Sequence, residues 1–231
     1  LIIDLPKKEV VFLTTLFNGI MRTNHYPDLW KISQIIMIHK LGKPANEVTS
    51  YRPINLLPTL SKLFEKVLLR RILPILTESN TIPDHQFGFR LEHSTIEQVH
   101  RVCDKIRKTL EDKEYCSSAF LDIYFCEIKA GVPQGSVLGP VLYTLYTADL
   151  PIAPGVTTAT YADDTAILAS DKDPVRASAT LQRGLDQITK WLQRWRIKAS
   201  ATKSIHATFT PKKENCPPVQ PENITPPHSA S

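Results

Sequence analysis

Two adjacent aspartates, Asp163 and Asp164, interrupt a run of small and β-prone residues, ATYADDTAILAS, at positions 159–170. Neighbouring carboxylates repel, and partial burial makes ionising both of them costlier, so such a pair needs a cation or strong donors close by. Tyr, Thr and Ile favour pleated backbone and Asp favours turns, so the pattern predicts two short strands, 157–162 and 165–169, joined at the Asp-Asp corner. That corner would hold its carboxylates at the tip of a hairpin. A solvated Asp-rich turn reads the same over four residues, so the remainder of the chain has to decide between them.

The elements around the hairpin can be read from periodicity. Val10, Leu13, Phe17 and Ile20 fall near one face of a helix over 8–21, and an Ile-rich run over 32–38 reads as a strand. The following stretch, LGKPANEVTSYRPINLLP, reads as loop. Leu60, Phe64, Val67, Leu68 and Ile72 predict a helix over 59–76 that Pro74 ends or kinks. Ser94 and Glu97 form a capping-box pattern, and Ile96, Val99, Cys103, Ile106 and Leu110 follow at intervals of three and four. AFLDI at 119–123 predicts a buried strand whose one charge is Asp122. The residues from Gly131 to Ser136 predict a turn, and 137–150 a mostly apolar helix. Asp173-Pro174 supplies an N-cap and first-turn proline for a helix to about Ile197, with Val175, Leu181, Leu185, Ile188, Leu192 and Trp195 on its buried side. A last strand is expected over 205–210, and a proline-rich tail from Pro211 to Ser231 reads as disordered. There is no internal repeat.

Composition narrows the function classes. With 231 residues, of which 42% are hydrophobic, the chain can bury a sizeable core. A net charge of +5 suits a polyanionic partner. Cys103, Cys116, Cys126 and Cys216 lack the spacing of a zinc site or a disulfide framework, which points to a reducing, intracellular setting in nucleus or cytoplasm. The most apolar stretch, VLLRRILPIL, is broken by two arginines and a proline, so no membrane span is expected. The first ten residues do not have the form of a secretory leader, and an opening Leu suggests a piece of a longer protein.

If the strands carrying Asp122 and the Asp163-Asp164 corner are neighbours, three carboxylates converge at one sheet edge. Hard oxygen ligands of this kind suit Mg²⁺, which is usually held by one or two carboxylates plus substrate phosphates. Two such ions about 3.5–4 Å apart can stabilise the attacking and leaving oxygens of an in-line phosphoryl displacement.

The order of seven segments sharpens this expectation. SYRPINLLPTLSKLFEKVL (50–68), IPDHQFGFR (82–90), HSTIEQV (93–99), AFLDI (119–123), AGVPQGSVLGPVLY (130–143), YADDTAIL (161–168) and WRIK (195–198) together resemble the reverse transcriptase of non-LTR retrotransposons, particularly the jockey-like group. The resemblance runs in the family's order from about residue 10 to residue 210. It implies an α+β fold, a right-hand polymerase with fingers at 1–118, a truncated palm at 119–210 and no full thumb, followed by the tail at 211–231. It also implies copying of an RNA template from a DNA primer with deoxynucleoside triphosphates and two Mg²⁺ ions, Mn²⁺ being an alternative. Asp122, Asp163 and Asp164 match the family's catalytic metal-binding aspartates. Gly131, Pro133, Gln134, Gly135 and Ser136, with Tyr161, match its nucleotide-binding positions. Gln86, Gly88 and Arg90 fall in a segment that approaches the template, Lys40, Lys43 and Arg52 in fingers positions that meet phosphate, and Lys203 near a lysine associated with pyrophosphate departure.

The chain also departs from the family. Between Ile123 and Tyr124 several dozen residues are missing relative to the pattern, and the sugar-gating aromatic is replaced by Glu127. Parallel strands need a connection of a dozen residues or more, which the stretch from Tyr124 to Lys129 cannot supply, so displacement of Asp122 from Asp163 and Asp164 is expected. Three readings follow: an RNA-directed DNA polymerase domain, a decayed remnant that binds nucleic acid without catalysis, and a helical interaction module with inert aspartates.

Overall fold

The structure, a computed structural model, describes residues 5–90, 92–125, 135–200 and 203–219. The chain divides into two compact units, one formed by residues 1–79 with 131–140 and the other by 80–130 with 141–231. Residues 80–118 group with the second unit.

The first unit is built on aromatic packing. Helix α1 (Lys7–Thr23) turns Phe17 and Ile20 inward, the short α2 (Asp28–Lys31) supplies Trp30, and α3 (Thr59–Glu78) supplies Phe64. Tyr26 joins these rings, which meet at tilted or edge-on angles with centroids 5.3–6.2 Å apart, arrangements favoured by the ring quadrupole. Pro74 neither ends α3 nor prevents a further turn, since the helix runs on to Glu78. Strands β1 (Gln34–His39) and β2 (Tyr51–Leu56) form an antiparallel ribbon with Met37 opposite Pro53. The sequence reading places loop where β2 lies. Pro53 masks the strand, yet a proline is accommodated in a two-stranded ribbon, where one edge needs no donor.

The second unit is an antiparallel sheet with a helix packed across it. Strand β3 (Tyr115–Phe125) is central, β5 (Asp164–Asp171) lies on one side of it and β4 (Val156–Tyr161) beyond β5. Along its other edge, β7 (Ile205–Phe209) pairs with residues 116–120 and β6 (Ile197–Ala199) with 123–125. Side chains alternate between the faces of a strand. Ala119, Leu121 and Ile123 of β3 and Ile167 and Ala169 of β5 accordingly share a core with Leu181, Leu185, Ile188 and Leu192 of α6 (Pro174–Trp195). Asp173 caps α6, its carboxylate accepting the Val175 N–H at 2.8 Å. Val175 itself is exposed. Helix α4 (Thr95–Glu111) opens with the full capping box expected of Ser94 and Glu97, while α5 is the short helix Gly139–Tyr146.

Part of the expected disordered tail is packed. Val219 belongs to the core beneath α6, Cys216 is buried with Tyr115 and Ala177, and Ser178 Oγ donates to the Pro217 carbonyl at 2.6 Å. Two apolar residues among prolines are enough to anchor it, because proline loses little further freedom on being fixed. Among the described residues, no helix is long and apolar enough to cross a membrane.

Candidate active site

Strand pairing settles where the aspartates stand. Asp122 of β3 lies directly opposite Asp164 of β5 in antiparallel register, and the Ile123 N–H donates to the Asp163 carbonyl at 3.1 Å. Residues opposite each other in a sheet share a face, and the parity that turns Leu121 and Ile123 toward α6 turns Asp122 and Asp164 away from it. The expected displacement of Asp122 is thus corrected. Its neighbour runs antiparallel, so no long parallel crossover is required, and β3 continues unbroken through Ile123 and Tyr124.

A cation completes the cluster. The Ser200 N–H donates to the Asp122 carbonyl at 2.8 Å, the chain turns, and Lys203 returns its Nζ to Asp122 Oδ2 at 2.8 Å. That hydrogen bond holds the Lys203 ammonium above its ordinary range. Asp164 moves the other way from a paired acid. Burial pushes its carboxyl up, the charges of Asp163 and Asp122 push it further, and Lys203 only opposes them. Among the described residues, no three acidic, imidazole or thiol groups stand close enough together to hold a metal ion. The donor set is nonetheless all carboxylate oxygen, crowded with like charge, which is the chemistry a hard divalent cation fits.

The hairpin tip is held from behind. Ala162 takes a left-handed backbone, φ 53°, at the corner, a conformation costly for a residue with a Cβ. Tyr143 Oη donates to the Ala162 carbonyl at 2.9 Å. Burial, with Asp163 and Asp164 nearby, drives the Tyr143 phenol well above its usual range, so it stays a donor. Gly88 lies so near that a Cβ there would sit 2.3 Å from the Ala162 nitrogen. Residues 85–87 run alongside β4: Thr160 donates to the His85 carbonyl at 2.9 Å and Phe87 to the Thr160 carbonyl at 3.0 Å. Buried Gln98 of α4 bridges both carbonyls through Nε2, at 2.8 and 3.0 Å.

Gln86, Gly88 and Arg90, expected near the template, also hold their own segment in place. Gln86 is buried with its Oε1 on the Gly88 N–H at 2.8 Å, and Arg90 holds the carbonyls of Pro83 and Gln86. Tyr161 is half-buried and opposes Asp164 across the corner. In the first unit, Lys40 Nζ donates to the Thr49 carbonyl, whereas Lys43 and Arg52 are exposed. Gly135 and Ser136 are described there too; Gly131, Pro133, Gln134 and Glu127 lie outside the described residues. Sequence reasoning missed Tyr143 and Gln98. Each is a polar residue inside an amphipathic or apolar run, which is the one signal they carry.

Residues 124–222 match the family described as reverse transcriptase (RNA-dependent DNA polymerase), so the chain carries a reverse transcriptase domain of mixed helices and sheets. It is 38% identical to a protein described as a probable RNA-directed DNA polymerase from transposon BS and 37% identical to the RNA-directed DNA polymerase from mobile element jockey, both of Drosophila melanogaster. Those alignments take in 90% and 93% of this chain and 29% of each relative. A probable RNA-directed DNA polymerase from transposon X-element, from the same organism, is 37% identical over 95% of the chain and 30% of that relative. The chain belongs with the jockey-like reverse transcriptases of non-LTR transposons, and it spans less than a third of the relatives' length. The BS alignment runs over 262 positions although this chain has 231 residues, so the relative carries residues that this chain lacks. The family match begins at residue 124, next to the junction at which the sequence reading expects a missing segment.

Proposed function

We propose that this domain is an RNA-directed DNA polymerase, joining a deoxynucleoside triphosphate to the 3′-hydroxyl of a primer paired with an RNA template. The observation that carries the reading is the antiparallel register that sets Asp122 opposite Asp164, next to Asp163. Asp122, Asp163 and Asp164 would hold Mg²⁺, or Mn²⁺, in two sites. Ions held there would supply the positive charge that favours an ionised 3′-hydroxyl and stabilises the phosphoryl oxygens in the transition state. The chain's own part is to fix these carboxylates: strand pairing sets Asp122 and Asp164, and Tyr143 and Gly88 brace the corner between them and Asp163. Lys203 keeps its ammonium charged beside Asp122, which suits it to the growing charge on a departing pyrophosphate. Exposed Lys43 and Arg52 suit phosphates of the nucleic acid.

Primer extension on an RNA template with Mg²⁺, run beside an Asp163→Asn, Asp164→Asn double variant, tests the reading. Extension by the wild-type chain, lost in the double variant, is expected; a folded wild type that extends nothing overturns it. One observation favours a second reading, a remnant that binds nucleic acid without catalysis: the transposon BS relative carries residues that this chain lacks, and the motif order puts the gap after Ile123. RNA binding that weakens steeply with salt, without extension, would establish that alternative.

A further inference from the structure

Glu65 is a buried acid for which the chemistry above has no use. It lies in α3 with 7% of its surface exposed, and its Oε2 accepts the Ser136 hydroxyl at 2.8 Å, the Val137 N–H at 2.6 Å and the Leu138 N–H at 3.3 Å. No basic side chain forms an ion pair with it among the described residues. A carboxylate is tolerated in such a place only when donors replace its water, and hydrogen bonds to a charged acceptor are about twice as strong as neutral ones. Glutamine would keep one acceptor but bring an NH₂ group to a spot that supplies only donors.

A second anchor lies one residue earlier. Gly135 has φ +111°, and a Cβ there would stand 2.6 Å from the Asn55 carbonyl oxygen at the end of β2. Only glycine permits both the backbone conformation and the approach. Ser136 Oγ also accepts the Gly139 N–H at 3.2 Å, the first N–H of α5. Residues 135–138 are therefore pinned to β2 by close backbone packing and to α3 by one carboxylate.

We propose that Glu65 is a positioning residue for the incoming nucleotide. By latching residues 136–138 to α3 it fixes where Gly135 and Ser136 meet a deoxynucleoside triphosphate. This inference rests on the polymerase reading, through the nucleotide role expected of those two residues.

The test uses the full chain with Glu65→Gln, and Ser136→Ala as a milder variant that removes one of the three donors. Amide exchange at Val137 and Leu138 is read beside the KM for nucleotide and kcat in primer extension. In Glu65→Gln both amides are expected to exchange at least about tenfold faster while β3 and β5 amides are unchanged. KM should rise about fivefold or more with kcat within about twofold, the mark of lost binding that ground and transition states share. Ser136→Ala should fall between wild type and Glu65→Gln. A variant that merely loses folded protein would lower the apparent kcat and leave KM alone, and that result overturns the proposal. Unchanged amide exchange refutes the latch even if extension proceeds. No extension by the wild type refutes the polymerase reading, and the nucleotide role of Glu65 with it, while exchange still judges the latch.

Discussion

Gly88→Ala tests the support of the aspartate corner with a single methyl group. The added Cβ would lie 2.3 Å from the Ala162 nitrogen, 3.0 Å from its Cα and 3.0 Å from Gln86 Oε1. Two of these three atoms are backbone at a corner already held by Tyr143, so neither can swing aside as a flexible side-chain end would. Relief requires lifting residues 85–88 off β4 or shifting the turn that carries Asp163 and Asp164. Overpacking of this kind costs about 1–3 kcal/mol, and losing the Phe87–Thr160 hydrogen bond adds about 1 kcal/mol. Gly88 does not have a left-handed φ, so alanine also stiffens the unfolded chain and returns about 0.4–1 kcal/mol. The expected net loss is about 2 kcal/mol, read as a lower urea midpoint at unchanged slope. Gly19→Ala is the control: nothing lies within 4 Å of its Cβ in the interior of α1, and a gain of about 0.5–1 kcal/mol is expected. A Gly88→Ala protein with a wild-type midpoint, measured beside a Gly19→Ala protein that gains, would refute the packing argument.

Other perturbations follow from the same geometry. Ala162→Gly relieves a left-handed alanine and should raise stability by about 0.5–1 kcal/mol in urea unfolding, less what the freer unfolded chain takes back. Asp149 accepts both the Trp191 and Trp195 indole N–H groups, at 2.8 and 3.1 Å, so Asp149→Ala should cost about 1–3 kcal/mol and change the tryptophan emission spectrum. Tyr143→Phe removes the hydroxyl that holds the Ala162 carbonyl; a loss of about 1 kcal/mol is expected, together with faster amide exchange at Ile123, whose bond ends at Asp163. Burial holds the His85 imidazole below its ordinary 6.5, helped by the charge of Arg101, and burial does the same to His206. Because the unfolded chain then binds protons more readily than the folded one, stability is complete above about pH 6.5 and falls as the pH drops through the unfolded value toward the lower folded ones. Urea midpoints at pH 7 and pH 5 should show the drop, and His85→Gln should flatten part of it.

Local chemistry was legible in the sequence by itself. The Asp-Asp corner between β-prone runs, the Ser94–Glu97 capping box and the Asp173-Pro174 helix start depend on residues a few positions apart, and each folds as its neighbours dictate. The candidate site residues were nominated on the same footing, from short motifs read in order along the chain. What side chains face was not. Ile96 and Val99 keep helical spacing yet are exposed, while Gln98 between them is buried because it must reach the carbonyls of His85 and Thr160, one of them 62 positions away. Glu65 looks like one more charge on an amphipathic helix until Ser136, Val137 and Leu138 bring three donors to it. Only the tertiary structure decided that β3 meets β5 antiparallel, and with it that Asp122 faces Asp164. Register is a property of two strands together, fixed by the apolar face each presents to α6, and no single stretch of sequence contains it.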